Sequence, residues 1–112
     1  MQRERLLKYL LDIEQIIGEI EHISERYEGG YNEFRKDWVA IRAIERQLQI
    51  IGEAVNELMK LNPAVPITSA RNIVDLRNLI VHAYDSVDHA MLWGIIRKDI
   101  PVLKLEIERL RE

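Results

Sequence analysis

Two stretches of this 112-residue chain repeat apolar residues at spacings of three and four, each for more than twenty residues, and that period constrains the fold more than any other feature. From about Gln2 to Tyr27 the series is Leu6, Leu10, Ile13, Ile16, Ile17, Ile20 and Ile23, with Glu and Arg in the gaps. One face of a long amphipathic helix has this pattern, whereas a half-buried strand alternates at every second residue. Gly29-Gly30 ends it, because glycine takes a left-handed cap cheaply and holds a helix poorly. Asn32 is placed to cap the next helix, whose series runs Phe34, Trp38, Ile41, Ile44, Leu48, Ile51, Val55 and Leu58 and stops at Asn62-Pro63.

Between Leu61 and Ser69 there are two prolines and no period, so a loop is expected, with Thr68 or Ser69 as the N-cap of a third helix. That helix carries Ile73, Leu76, Ile80 and Val81 and ends near His82 to Asp85. A fourth starts after Asp85-Ser86 and uses Val87, Met91, Leu92, Ile95 and Ile96. Proline is tolerated in a first turn but not in a helix interior, so Ile100-Pro101 marks a kink or the start of a fifth helix with Val102, Leu105 and Leu110. No segment alternates. The expected fold is all-α, an antiparallel bundle of four to five helices with short connections, forming one domain over residues 1–112.

Leu, Ile, Val and Phe make up about a third of the chain, enough for a core in a domain this small, though association with a second copy would help. The absence of cysteine excludes disulfides and thiolate metal sites. Charges recur so often that the longest uncharged stretch, Leu61 to Ala70, is far short of a membrane span. The N-terminus is charged and amphipathic, unlike a signal sequence, so a cytoplasmic location is expected. A net charge of −3 argues against non-specific adhesion to nucleic acid. It leaves room for an enzyme whose few cations converge on one phosphate.

Most reactive constellations are missing: no phosphate-binding glycine loop, no dinucleotide fingerprint, no zinc helix and no calcium loop. His22, His82 and His89 share no metal-binding spacing, and Asp85, Asp88 and His89 fit helix capping better than cation binding. Neither a metal nor a cofactor is expected. One stretch remains, Arg77-Asn78-Leu79-Ile80-Val81-His82-Ala83-Tyr84, which gathers a permanent cation, a group that titrates near neutrality and a phenol. On an ideal helix Arg77 and Tyr84 project about 20° apart, while His82 lies about 140° from Arg77. Convergence requires the arginine to bend, the helix to loosen near His82, or a second chain to complete the site. Each residue also has a structural reading: His82 as a packed imidazole, Arg77 as an ion-pair partner of Asp75 or Glu53, and Tyr84 as a core residue.

The same residues resemble the R-x4-H-x-Y motif of the HepT-like ribonuclease toxins of the HEPN superfamily (higher eukaryotes and prokaryotes nucleotide-binding), as Arg77, His82 and Tyr84. Ile51-Gly52-Glu53-Ala54 is similar to that family's I-G-E-A segment, and Val87-Asp88 and Leu92-Trp93 to its V-D and L-W positions. The likeness spans essentially the whole chain. Two regions depart from the pattern: many members of that family carry a tryptophan near the position of Ala70 and a glycine near Asp75, and both differences concern packing around the motif helix and its partner.

The resemblance implies a HEPN-like homodimer that cleaves RNA without a metal, with the motifs of both chains facing a shared cleft. His82 would act as general acid or base and Arg77 would stabilise charge on the phosphoryl oxygens. Asn78 would orient the phosphate or Arg77, and Glu53 would hold Arg77 or His82. Tyr84 would be the target of AMPylation by a minimal nucleotidyltransferase antitoxin, and the AMP group would block the site. The alternative is a non-catalytic dimeric module that binds a nucleotide or the nucleotidyltransferase.

Overall fold

The computed structural model describes residues 2–28 and 30–112, and of these the side chain of Tyr84 is not described. Gly29, half of the expected glycine cap, therefore lies outside the described residues. Helix α1 spans Gln2–Ser24, α2 Tyr31–Phe34, α3 Trp38–Leu61, α4 Ala70–His82, α5 His89–Gly94 and α6 Ile100–Arg111. A 3₁₀ turn at Tyr84–Ser86 comes after α4, and a π-helical segment at Ile95–Asp99 joins α5 to α6. Among the described residues there is no strand, and no helix is long and apolar enough to cross a membrane.

The long helices pair antiparallel, and polar contacts give their register. Gln47 Nε2 donates to Glu19 Oε1 at 3.0 Å between α3 and α1. Lys104 pairs with Glu21 at 3.0 Å and Arg111 with Glu14 at 2.8 Å, so α6 runs opposite to α1. The loop 62–69 turns α4 back along α3, and these two form the most extensive helix pair of the fold. Their buried faces are those read from the period: Ile13, Ile17 and Ile20 on α1, Ile44, Ile51, Val55 and Leu58 on α3, and Leu76 and Ile80 on α4.

The second expected helix is split. A short α2 precedes α3, and Asp37 rather than Asn32 caps the long helix, its Oδ1 accepting from the Ala40 N–H at 3.2 Å. The break has a physical cause. Gly30 sits at φ 83°, a conformation suited to glycine, and its carbonyl accepts from the Glu33 and Phe34 amides. Tyr27 is pulled inward to donate to Asp37 Oδ2 at 2.6 Å, and its ring meets Phe34 edge-on with centroids 5.6 Å apart. Trp38, expected on the apolar face, is instead 71% exposed at the start of α3.

At the start of α4, Ser69 occupies the N-cap position without a side-chain cap bond. Thr68 is tied to α6 instead, its N–H and Oγ1 donating to Glu106 Oε2 at 2.9 and 2.6 Å. Ile95 and Ile100 keep right-handed helical dihedrals, so α5 and α6 continue one another through the π segment. Pro101 lies in the first turn of α6, where the wider π turn accommodates its missing N–H. Asp88 caps α5, its Oδ1 accepting from the Ala90 N–H at 2.8 Å.

Candidate active site

Arg77 sits in the middle of α4, half-buried, on the side packed against α3. The backbone of α3 comes so close there that a Cβ on Gly52 would run into the Cβ of Arg77, stand 2.8 Å from its Cγ and 3.2 Å from the carbonyl oxygen of Ile73. Only glycine leaves room for the stem of the arginine at this crossing. The far end of Arg77 is held as well: Nη1 donates to Asn78 Oδ1 at 2.7 Å. Its Nε is buried and has no acceptor among the described residues.

Neither Asp75 nor Glu53 forms an ion pair with Arg77, and among the described residues no carboxylate lies within ion-pair distance of this guanidinium. Glu53 nonetheless shares a cleft with it. A cavity of about 520 Å³ opens between α1 and α3, lined by Tyr9 and Asp12 from α1, by Glu53, Asn56 and Glu57 from α3, and by Arg77. Of its carboxylates, Asp12 is paired with Lys8 at 2.8 Å and Glu57 with Lys60 at 3.2 Å. Among the described residues, Glu53 accepts only from Gln49 Nε2, at 3.4 Å.

His82 is the last residue of α4 and its side chain is exposed. The helix stays regular through it and closes immediately afterwards, with the Ala83 N–H donating to the Leu79 carbonyl at 2.8 Å and Ala83 leaving the helical region at φ −148°. The helix therefore does not loosen in time to bring His82 round. Among the described residues no hydrogen bond joins the imidazole to Arg77, and Arg77 bends toward Asn78 and the α1–α3 cleft. One chain brings Arg77, Asn78 and Glu53 together and leaves His82 apart. The expectation for Tyr84 falls on a side chain outside those described.

One buried charge escaped the sequence pattern. Glu45 is 6% exposed on α3, its Oε1 accepting from Arg42 Nη1 at 2.7 Å and its Oε2 without a partner. Its signal was present: Ile41, Glu45, Leu48 and Gly52 continue the apolar spacing with a charge in one position. Tyr9, Asp12, Asn56 and Glu57 carried no such signal, because their convergence depends on the register between two helices. Asp88 serves as a cap, and no group of three or more His, Asp or Glu side chains gathers to hold a metal among the described residues.

Comparisons with known proteins cover most of the chain. The family model described as "Ribonuclease HepT-like" matches residues 13–110. A protein of Methanocaldococcus jannaschii named as an RNase is 31% identical over 112 residues, covering 96% of this chain and 98% of the relative. A protein of Thermococcus cleftensis, "Probable ribonuclease HepT", is 36% identical over 93% of this chain and 94% of its own. One of Caldanaerobacter subterraneus, also named as an RNase, is 35% identical over 88% and 89%. No solved structure matches the chain.

Proposed function

Since the chain belongs to the HepT-like ribonuclease family, we propose that it is a metal-independent endoribonuclease toxin acting as a homodimer in the cytoplasm, with Arg77 and His82 as its catalytic residues. The observation that carries this reading is the state of Arg77. A guanidinium fixed at its stem by the Gly52 crossing, fixed at its tip by Asn78 and left without a carboxylate partner is a cation kept for an incoming anion.

Cleavage uses the RNA's own 2′-hydroxyl. A basic imidazole removes its proton, the oxygen attacks the adjacent phosphorus, and the 5′-oxygen leaves with a proton from an imidazolium. The products are a 2′,3′-cyclic phosphate and a 5′-hydroxyl. An imidazole near neutrality serves as either partner, and the fork of Arg77 takes the charge that builds on the non-bridging oxygens. The separation of His82 from Arg77 in one chain supports a site shared by two. Val81, beside His82, is 41% exposed and lies where a second copy would cover it. Glu53 and Asn78 support the site by placing the substrate and Arg77.

Tyr84, two residues beyond His82, is the regulatory position. An AMP group placed there by a cognate minimal nucleotidyltransferase antitoxin adds a bulky phosphodiester charge beside the site and excludes RNA. The test is cleavage of single-stranded RNA in excess chelator. Wild-type protein is expected to leave 5′-hydroxyl ends, and Arg77→Ala and His82→Ala to lose at least about a hundredfold in rate with unchanged helicity and oligomeric state. Unmodified protein that leaves RNA intact would instead point to a binding module. Mass spectrometry after co-expression with a minimal nucleotidyltransferase is expected to place AMP on Tyr84, and modification elsewhere overturns that assignment.

A further inference from the structure

We propose that the α1–α3 cleft beside Arg77 is a nucleobase subsite selective for guanine, with Glu53 as the residue that reads the base. The inference rests on the ribonuclease reading for its substrate, and on the cavity itself for its chemistry. A phosphate held by Arg77 lies at the edge of the cleft, so the nucleoside attached to it is carried toward Tyr9, Glu53 and Asn56. At about 520 Å³ the space is within the range of small-molecule sites and accommodates a base with its ribose.

The lining selects what enters. With Asp12 and Glu57 paired to lysines, Glu53 carries the uncompensated negative charge of the lining, which disfavours a second phosphate and favours an uncharged group beyond Arg77. Ionised carboxylates only accept hydrogen bonds, so that group must also donate them. Asp12 and Glu57 already have lysine partners, whereas Glu53 has, among the described residues, no cation and only a long bond from Gln49. Glu53 is the open acceptor. Guanine presents two adjacent donors, N1–H and the 2-amino group, which match the two oxygens of one carboxylate. Adenine and cytosine place an acceptor next to their amino group, and uracil flanks its single N–H with two carbonyls. Each of these sets a lone pair against the carboxylate. Tyr9 also lines the cleft, with the Lys8 ammonium over its ring at 5.4 Å from the centroid.

Two measurements test this on the full-length protein. Sequencing of the ends produced from a random RNA pool in chelator is expected to show guanine enriched at one position flanking the cut. Glu53→Gln should reduce that enrichment about tenfold or more, the discrimination typical of a bidentate base contact. Calorimetric titration with 5′-GMP and 5′-UMP reads the subsite without cleavage. GMP is expected to bind at least about tenfold tighter, and Glu53→Gln to erase the difference. Discrimination kept by a protein that does not cut RNA would sink the ribonuclease reading and leave the subsite standing. Cleavage with no flanking guanine preference, or a preference indifferent to Glu53→Gln, would overturn the subsite. So would equal binding of the two nucleotides.

Discussion

Replacing Gly52 with alanine tests the crossing that positions Arg77, and its two opposing effects can be weighed. In an open helix interior the change is favourable, because alanine exceeds glycine in helix propensity by about 1 kcal/mol. At Gly52 the new methyl meets the Cβ and Cγ of Arg77, atoms close to the α4 backbone that cannot rotate clear, and the carbonyl of Ile73 at 3.2 Å. Overpacking of this kind costs about 1–3 kcal/mol. The upper end applies because the obstructing atoms are rigid, so a net loss of about 2 kcal/mol is expected, lowering Tm by about 8 °C in a domain of this size. Gly18, mid-helix on α1 with nothing within 4 Å of an added Cβ, provides the control: Gly18→Ala should raise stability by up to about 1 kcal/mol. The activity consequence is larger. Relaxing the 2.8 Å approach to the 3.4 Å of ordinary contact moves the stem of Arg77 by at least 0.6 Å. A misplacement of about 1 Å at a reacting group costs about a hundredfold in rate. The assay is thermal unfolding by circular dichroism, paired with RNA cleavage well below the transition. A Gly52→Ala protein as stable as wild type, with a cleavage rate within about a factor of two of it, would mean that the crossing does not position Arg77.

Three more outcomes rest on other contacts. The Tyr27 hydroxyl is pushed up to about 12 by burial and by its bond to Asp37, while Tyr27's hydroxyl and the Ala40 N–H hold the Asp37 carboxyl below the usual carboxylate range. The raised Tyr27 value stabilises the fold below about pH 10 and that stabilisation is lost as pH climbs toward 12; the lowered Asp37 value stabilises it above about pH 4 and is lost on acidification. The urea midpoint of Tyr27→Phe should therefore trail wild type most between these limits and approach it at both ends, and a gap constant from about pH 3 to about pH 11 would contradict this. Ile44→Ala, at a fully buried position, should cost about 2–5 kcal/mol in urea unfolding, whereas Leu105→Ala, at a position 55% exposed, should change stability by less than about 0.5 kcal/mol. Glu45→Gln should leave stability within about 1 kcal/mol of wild type, since a neutral amide relieves the cost of an unpartnered buried carboxylate oxygen while keeping the bond from Arg42.

The period that carried the helices into view failed where local chemistry overrode it. Phe34 and Trp38 continue the series of α3 in sequence, yet the chain turns between them. The pull of Tyr27 on Asp37 and the left-handed Gly30 fix a corner there, and no count of apolar spacing includes a hydrogen bond between residues ten apart. At Ile100-Pro101 the expected helix start is where α6 begins, with Pro101 in its first turn; the period did not show that α5 runs into it without a break. A π turn lets the helix absorb the proline and continue. Arg77 and Asn78 were legible because they are neighbours on one helix. The cleft was not, because Tyr9 and Glu57 become neighbours only once α1 and α3 adopt their register.

The placement of His82 connects the fold to its assembly. A regular helix keeps residues five apart about 140° from each other, and α4 remains regular through His82. Arg77 has committed its side chain to Asn78 and the α1–α3 cleft, so it does not swing back toward the imidazole. For both groups to act on one phosphate, either α4 must unwind between them or the imidazole must come from another copy. Unwinding would strip Ile80 from the core, where it is buried, and break the bond that closes the helix between Leu79 and Ala83. A two-fold axis near the end of α4 avoids that cost. On the proposed reading such an axis would bring one chain's His82 to the other's Arg77 and would cover Val81, which is 41% exposed in the single chain. Mixed dimers of Arg77→Ala and His82→Ala chains therefore discriminate the two arrangements: a shared site recovers one intact Arg77–His82 pair and about half of wild-type cleavage per dimer, whereas a site confined to each chain recovers none.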